Sequence, residues 1–245
     1  MPHYIHLKET PSTSTYACKM AGLLPSGTVI YSYNQTAGRG QRGNSWEAEP
    51  GKNLSFSLLV KDVALKPDEQ FYISEGVSLA IVGFLRRYAG EFSIKWPNDI
   101  YWRDKKICGM LIENTLLGAA IKTSVIGVGI NINQTVFRGG APNPVSLAQI
   151  IGHETDLDDA LRQVCALIER HTRFDGLTGG DLATLHSAYL RALYRNDGRP
   201  HPFLLPTGEE IMATITGVLP SGLLCLTHSD GSTRRYAFKE VSFKI

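Results

Sequence analysis

Apolar and polar positions repeat with two different periods along the chain. Short runs rich in β-branched and aromatic residues, some alternating between polar and apolar positions, predict strands. Longer segments in which apolar residues recur every three or four positions predict helices. The predicted strands lie at 27–33, 53–60, 92–96, 100–102, 107–113 and 124–132, and the predicted helices lie at 69–88 and around 157–168 and 182–193.

The pattern changes after residue 196. From there to residue 245 the chain shows only short β runs, separated by turns that contain proline or glycine. These runs lie at 211–218, 223–227, 235–238 and 241–243. The sequence therefore predicts an α/β (or α+β) domain over residues 1–196, followed by a small β-barrel domain over residues 197–245.

Composition and charge narrow the class of protein. Hydrophobic residues make up 43% and charged residues 20% of the chain, which is typical of a globular protein and not of a disordered one. The net charge is only +2, so a nucleic-acid-binding protein is not expected. Four cysteines without a C-x-x-C pair favour a reducing cytoplasm. We expect no signal peptide, no membrane span and no zinc site.

A glycine-rich loop is the first candidate for chemistry. Residues 38–43 read GRGQRG, which matches the G-x-G-x-x-G pattern of dinucleotide-binding proteins. That pattern should open directly into a helix, whereas this loop continues to a predicted strand, and no kinase motif follows it. Arg39 and Arg42 nevertheless place two guanidinium groups in the loop, and these suit phosphate or carboxylate ligands. A solvated surface loop is the alternative interpretation.

Four further segments accompany this loop. They are STS at 12–14, KWPND at 95–99, KICGMLIE at 106–113 and GVGIN at 127–131. With GRGQRGNSW at 38–46, their types and order resemble those of the biotin–protein ligase family. The resemblance implies a mixed-sheet catalytic domain of the biotin/lipoate ligase type with a small SH3-like C-terminal barrel. Because the Ser-Thr segment begins at residue 12, it also implies the short form of the family, without an N-terminal DNA-binding domain.

The resemblance implies a two-step activity. Such ligases activate biotin with Mg²⁺ and ATP as biotinyl-5′-AMP, and then transfer biotin to one lysine of a biotin carboxyl carrier domain, by default that of acetyl-CoA carboxylase. The first step brings the carboxylate of biotin and the α-phosphate of ATP together, so positioned cations are needed. Biotin and ATP are the expected small-molecule partners, Mg²⁺ comes with ATP, and neither DNA nor a membrane is expected as a partner.

The same resemblance assigns roles to individual residues. The expected catalytic residues are Arg39, Lys106, Lys95 and Asp99. The expected biotin-binding residues are Ser12, Thr13, Gln35, Gly38, Arg39, Lys106, Gly109, Gly127 and Gly129. The expected ATP-binding residues are Arg39, Arg42, Trp46, Lys95, Asn98, Lys106 and Asn131. We hypothesise in addition that Asp99 deprotonates or orients the acceptor lysine.

The chain departs from the family pattern at three positions. Gln41 and Asn44 stand where many relatives have arginine, which predicts weaker retention of the activated intermediate, and Ser14 replaces the usual asparagine. Two alternatives remain open, a lipoate–protein ligase and a non-catalytic biotin-sensing protein. The sequence leaves the oligomeric state open as well, although exposed edges of the main sheet could pair two chains in a homodimer.

Overall fold

The computed structural model describes residues 3–139 and 143–245, and of Arg42 it describes the backbone only. The strands are β1 His3–His6, β2 Thr28–Tyr31, β3 Gly38–Arg39, β4 Ser45–Trp46, β5 Leu54–Val63, β6 Phe92–Lys95, β7 Asp99–Trp102, β8 Lys105–Leu117, β9 Ala120–Ile130, β10 His201–Leu204, β11 Glu210–Val218, β12 Leu224–His228, β13 Thr233–Tyr236 and β14 Ser242–Phe243. The α-helices are α1 Thr13–Met20, α2 Phe71–Leu85, α3 Leu147–Ile151, α4 Leu157–His171 and α5 Gly179–Ala192. Two short 3₁₀ helices cover Gln41–Gly43 and Pro67–Glu69.

Seven strands form the main sheet in the order β1-β2-β5-β9-β8-β7-β6. The β1–β2 pair is parallel and the other pairs are antiparallel, so the predicted mixed sheet is confirmed. One face carries the larger core, where Val29, Leu58 and Ile126 pack beneath α2, α4 and α5. Because side chains alternate along a strand, Leu59 and Val125 belong to the other face, which α1 covers.

The C-terminal segment forms a second sheet, as its short β runs predict. Five antiparallel strands lie in the order β13-β12-β11-β10-β14. Within the described residues the hydrogen-bonded ladder ends at β13 and β14 and does not close, so the unit is an open five-stranded sheet where the sequence predicts a barrel. The indole N–H of Trp96 donates a 2.9 Å hydrogen bond to the carbonyl of Gly222, which joins this sheet to the larger unit. The boundary at 196/197 stays a prediction.

The longer predicted helices and strands are all present. Several short elements were not predicted, among them β1, β3, β4, α3 and β10, because two to five residues are too few to show a period. The two strands predicted at 107–113 and 124–132 extend toward each other into one long hairpin, β8–β9. Among the described helices none is both long enough and apolar enough to cross a membrane.

Candidate active site

A deep cavity lies beside α1 on its face of the main sheet. Gly109 lies opposite Gly129 and Leu111 lies opposite Gly127, so small residues line the middle of β8 and β9. The ring of Trp46 lies against this backbone: a Cβ at Gly129 would overlap the indole, and a Cβ at Gly109 would be 3.0 Å from Cζ3 of the same ring. Only glycine allows the tryptophan to approach both strands this closely.

The N-terminus of α1 forms a polar end of the cavity. Ser12 is the N-cap residue of α1, and its side chain accepts a hydrogen bond from the Thr15 amide. The Thr13 amide donates to Oε1 of Gln35 at 2.9 Å, which fixes the glutamine against the helix. The result is a buried set of hydroxyl and amide groups that suits a neutral, hydrogen-bonding ligand.

Ser57 completes this polar end. Its hydroxyl lies 2.9 Å from Oγ1 of Thr13 and 3.1 Å from Oγ of Ser14, and the residue is fully buried in β5. Ser14 lies directly over Gly127, where a Cβ would overlap its hydroxyl. The sequence-based assignment left out Ser14 and missed Ser57. The signal for Ser57 was a polar residue repeated at alternate positions of a buried strand, with Ser55 and Ser57 on the cavity face.

The glycine-rich loop folds back on itself. Gly38 pairs with Trp46 and Arg39 pairs with Ser45, which makes β3 and β4 a two-stranded hairpin around the 3₁₀ turn Gln41–Gly43. Gly38 has no room for a side chain, because a Cβ there would overlap the Trp46 carbonyl oxygen. The hairpin thereby delivers both Arg39 and the Trp46 ring to the cavity.

Three cationic side chains reach the cavity, and each already has a partner. Nη2 of Arg39 lies 2.8 Å from Oε1 of Glu113, and Nζ of Lys106 lies 2.7 Å from Oδ1 of Asp99. The Lys106 ammonium also lies 5.8 Å from the centroid of the Trp46 ring. The cavity therefore concentrates three cations, two of which are neutralised by carboxylates of the chain itself.

Lys95 has a different environment. Its ammonium lies 5.2 Å from the ring centroid of Tyr101 and 5.1 Å from that of Phe243, a residue of the C-terminal sheet. Burial lowers the pKa of Lys95, the nearby Asp99 opposes this shift, and Lys106 adds to it. The C-terminal sheet thus helps to enclose a cation at the edge of the site.

The KWPND segment forms the turn between β6 and β7. The Asn98 side chain donates a 2.6 Å hydrogen bond to the carbonyl of Met110, and the Met110 amide donates back to the carbonyl of Asn98 at 2.9 Å. These two bonds fix the turn to β8 and place Asp99 beside Lys106. Asn98 therefore has a positioning role that the sequence did not reveal, and its predicted ATP contact stays a prediction.

The structure brings most of the predicted site residues together. The predicted residues that line the cavity are Ser12, Thr13, Gln35, Arg39, Trp46, Lys95, Asn98, Asp99, Lys106, Gly109, Gly127 and Gly129. Arg39 and Lys106, which are 67 positions apart in the sequence, thus share one cavity.

Two of the predicted site residues, Gly38 and Asn131, lie outside that lining. Gly38 supports the hairpin behind it, and the side chain of Arg42 lies outside the described part of the structure. Asn131 lines a neighbouring cavity, which Trp46 and Lys106 also border. Its side-chain amide donates to the carbonyl of Val145, while its buried Oδ1 accepts no hydrogen bond within the described residues. That unpaired acceptor suits a ligand N–H, as the predicted nucleotide contact requires.

A comparison with profiles of known protein families identifies the family of this chain. Residues 7–131, just over half of the chain, match the profile described as the biotin/lipoate A/B protein ligase family. The chain belongs to this family.

Two curated relatives show how far the likeness extends. The bifunctional ligase/repressor BirA of Bacillus subtilis is 30% identical over 190 residues, which cover 73% of this chain and 56% of that protein. The biotin–[acetyl-CoA-carboxylase] ligase of Paracoccus denitrificans is 29% identical over 161 residues, covering 63% of this chain and 67% of that one. The chain thus spans little more than half the length of the BirA relative.

Solved structures share the fold over the whole chain. The biotin protein ligase from Aquifex aeolicus in complex with biotin and ATP superposes with a TM-score of 0.78 at 24% identity, covering 100% of this chain and 99% of that one. The ligase from Leishmania major in complex with biotinyl-5-AMP has a TM-score of 0.65 at 22% identity, with 97% and 99% covered. Both show that this chain has the ligase fold.

The sequence predicts that Mg²⁺ binds only together with ATP, without a metal site made by the protein. Within residues 3–139 and 143–245 there is no group of three or more His, Cys, Asp or Glu side chains that could hold a metal ion. That magnesium binds together with ATP stays a prediction. Asp99 is a carboxylate on the cavity wall and is already paired with Lys106.

Proposed function

We propose that this chain is an ATP-dependent biotin–protein ligase. In the first half-reaction a carboxylate oxygen of biotin attacks the α-phosphorus of ATP, a new O–P bond forms, and pyrophosphate leaves. In the second, the neutral ε-amine of an acceptor lysine attacks the acyl carbon of biotinyl-5′-AMP, and AMP leaves as the amide forms. The observation that carries the proposal is the single cavity shared by Arg39 and Lys106.

The two cations suit the first half-reaction. The carboxylate and the phosphate repel each other, and negative charge accumulates on the phosphate oxygens as the new bond forms. A guanidinium and an ammonium in a partly dry cavity stabilise that charge more than they stabilise the separate reactants. Loss of one such contact typically costs about 3 kcal/mol, or roughly a hundredfold in rate.

The polar end of the cavity suits the head of biotin. The bicyclic ureido group is neutral, with two N–H donors and one carbonyl acceptor, so it needs hydrogen-bond partners when buried. Thr13 and Ser14 line the cavity with hydroxyls that both donate and accept, Ser57 holds these two hydroxyls in place, and Gln35 offers an amide. The cavity extends from this hydroxyl cluster to Lys106, which gives the apolar part of the ligand its place.

The chemistry of the second half-reaction and the name of one relative indicate which protein accepts biotin. We propose that a biotin carboxyl carrier domain of a carboxylase supplies the lysine, in keeping with the name of the Paracoccus relative. The same relatives favour biotin over lipoate as the acid. A cytoplasmic location, with ATP and the carrier at hand, fits this proposal, and the absence of DNA binding and the formation of a homodimer stay predictions.

A biotin-dependent exchange of pyrophosphate into ATP tests the proposal. Labelled pyrophosphate is expected to enter ATP in the presence of biotin and not in its absence or with lipoate in its place. Addition of a carrier domain should then yield one biotinylated lysine, which mass spectrometry locates. Exchange with lipoate alone would show the lipoate ligase alternative, and biotin binding without any exchange would show the sensing alternative.

A further inference from the structure

Arg39 is already paired with side chains of the chain itself, so its guanidinium is not free to bind a substrate. Its guanidinium makes two contacts with Glu113, Nη2 to Oε1 at 2.8 Å and Nη1 to Oε2 at 3.3 Å, and a third contact with the hydroxyl of Thr15 at 3.3 Å. All three contacts lie toward α1. The group that should meet the substrate carboxylate is therefore already occupied by a carboxylate of the chain itself.

Glu113, and with it the contact to Arg39, lies some distance along β8 from Lys106. Gly109, Leu111 and Glu113 alternate on β8, so they share the cavity face of the sheet. Cε of Lys106 lies 3.4 Å from the point that a Cβ on Gly109 would occupy. Glu113 lies four positions beyond Gly109 on the strand, or ~13 Å at the usual rise. Arg39 and Lys106 thus border the same cavity at different points along this row.

We propose that Glu113 is a positioning residue that holds Arg39 away from Lys106 in the unliganded chain, and that the carboxylate of biotin displaces it. This inference rests on the proposed function. In the exchange one carboxylate replaces another on the same guanidinium, so no charge is left unpaired on Arg39 at either stage.

Because the Arg39–Glu113 pair is partly exposed, its replacement by a pair between Arg39 and the biotin carboxylate should cost little free energy. The side chains of Arg39 and Glu113 are 44% and 33% exposed. Ion pairs this accessible contribute little to stability, because water and salt screen them. Lys106 and Asp99 are more enclosed, at 25% and 15%, so their pair should be the more persistent of the two.

The first test compares biotin affinity in two matched variants. Glu113→Gln keeps the shape of the side chain and removes the competing charge. Glu91→Gln removes a carboxylate from the exposed pair with Arg103, which does not line the cavity. Titration calorimetry should show that Glu113→Gln binds biotin about twofold to fivefold more tightly than wild type, while Glu91→Gln binds as wild type does. Unchanged or weaker binding by Glu113→Gln would overturn the inference.

Cys18 provides a second readout that a purely structural role of Glu113 would not move. Its Sγ lies 3.8 Å from Oε2 of Glu113. Burial and the Glu113 charge raise the pKa of this thiol, while Arg39 lowers it. Departure of Arg39 should raise this pKa further, so biotin should slow the alkylation of Cys18 by iodoacetamide. Cys225, on the C-terminal sheet, serves as the control and should react at one rate throughout.

The two proposals fail in different ways. If the wild-type chain neither binds biotin nor catalyses pyrophosphate exchange, the proposed function is wrong and this inference falls with it. If the wild type performs the exchange but biotin leaves the alkylation of Cys18 unchanged, or Glu113→Gln gains no affinity, only the role of Glu113 is wrong. Peptide mass spectrometry assigns the alkylated cysteine in each case.

Discussion

The Lys106 ammonium lies 2.7 Å from the Asp99 carboxylate, across the pair of strands β7 and β8. Asp99 is paired with Gly109 in the ladder, which places both charged groups next to the glycine that borders the Trp46 ring. One carboxylate therefore has two candidate tasks in the proposed reaction. It can hold Lys106 in place during activation, and it can orient or deprotonate the acceptor lysine during transfer.

Asp99→Asn separates these two tasks. The amide keeps the size of the side chain but neither takes up a proton nor pairs as an anion with an ammonium. We expect biotin transfer from pre-formed biotinyl-5′-AMP to fall by about tenfold or more beyond any loss in adenylate formation. Single-turnover measurements of each half-reaction check this. Equal losses in both would show that Asp99 acts only through Lys106.

Ser57→Ala should weaken biotin binding selectively. The hydroxyl of Ser57 holds those of Thr13 and Ser14, so its loss leaves two buried hydroxyls less well oriented. The KM for biotin should rise by roughly twofold to tenfold, in line with about 0.5–1.5 kcal/mol for a hydrogen bond, while the KM for ATP stays unchanged. Ser124→Ala is the matched control, since its buried hydroxyl has no hydrogen-bond partner within the described residues. A rise in the KM for ATP as large as that for biotin would count against a role at the biotin head.

Gln41→Arg should retain the activated intermediate longer. Gln41 lines the cavity at the start of the 3₁₀ turn, so an arginine there would add a cation within reach of the phosphate. We expect release of biotinyl-5′-AMP to slow by about tenfold relative to wild type, because a hydrogen bond to a charged group is worth more than a neutral one. Gln41→Met controls for size and should show no slowing. Release that is slower from wild type than from Gln41→Arg would contradict the prediction.

The free energy of unfolding should depend on pH because of the buried carboxyl group of Glu75. This glutamate is fully buried on α2, and its Oε1 lies 2.8 Å from Nδ1 of His186 on α5. Burial raises the pKa of Glu75 to about 7, although His186 opposes the shift. A carboxyl whose pKa is higher in the folded state binds more protons there, so stability should fall as the pH rises from about 5 to 7, by on the order of 3 kcal/mol.

Urea unfolding of Glu75→Gln at several pH values checks this expectation. The amide cannot ionise, so the variant should lose most of the decline in the free energy of unfolding between pH 5 and 7. Glu91→Gln, an exposed carboxylate, should retain the wild-type profile. An identical slope in Glu75→Gln and wild type would show that another group is responsible.

Much of this architecture follows from local sequence pattern. The alternation in β5 and the helical repeat in α2 predicted both elements, and the order of the glycine and KWPND segments indicated the site. The pattern could not show the partners of the cations, because Arg39 meets Glu113 and Lys106 meets Asp99 only through pairings between strands and loops. Ser57 was missed for the same reason, since its hydroxyl matters only once α1 has packed over β5.

In the proposed reaction Arg39 and Lys106 act together on the joining of two anions, and biotin-dependent pyrophosphate exchange measures the rate of that step. Lys106→Met and Arg39→Met should each lose roughly a hundredfold in exchange rate, and the double variant should lose less than the product of the two, because both act on one transition state. Lys122→Met, which removes a cation from the exposed pair with Asp62, should exchange as wild type does. Exchange within threefold of wild type in both Lys106→Met and Arg39→Met would contradict the account.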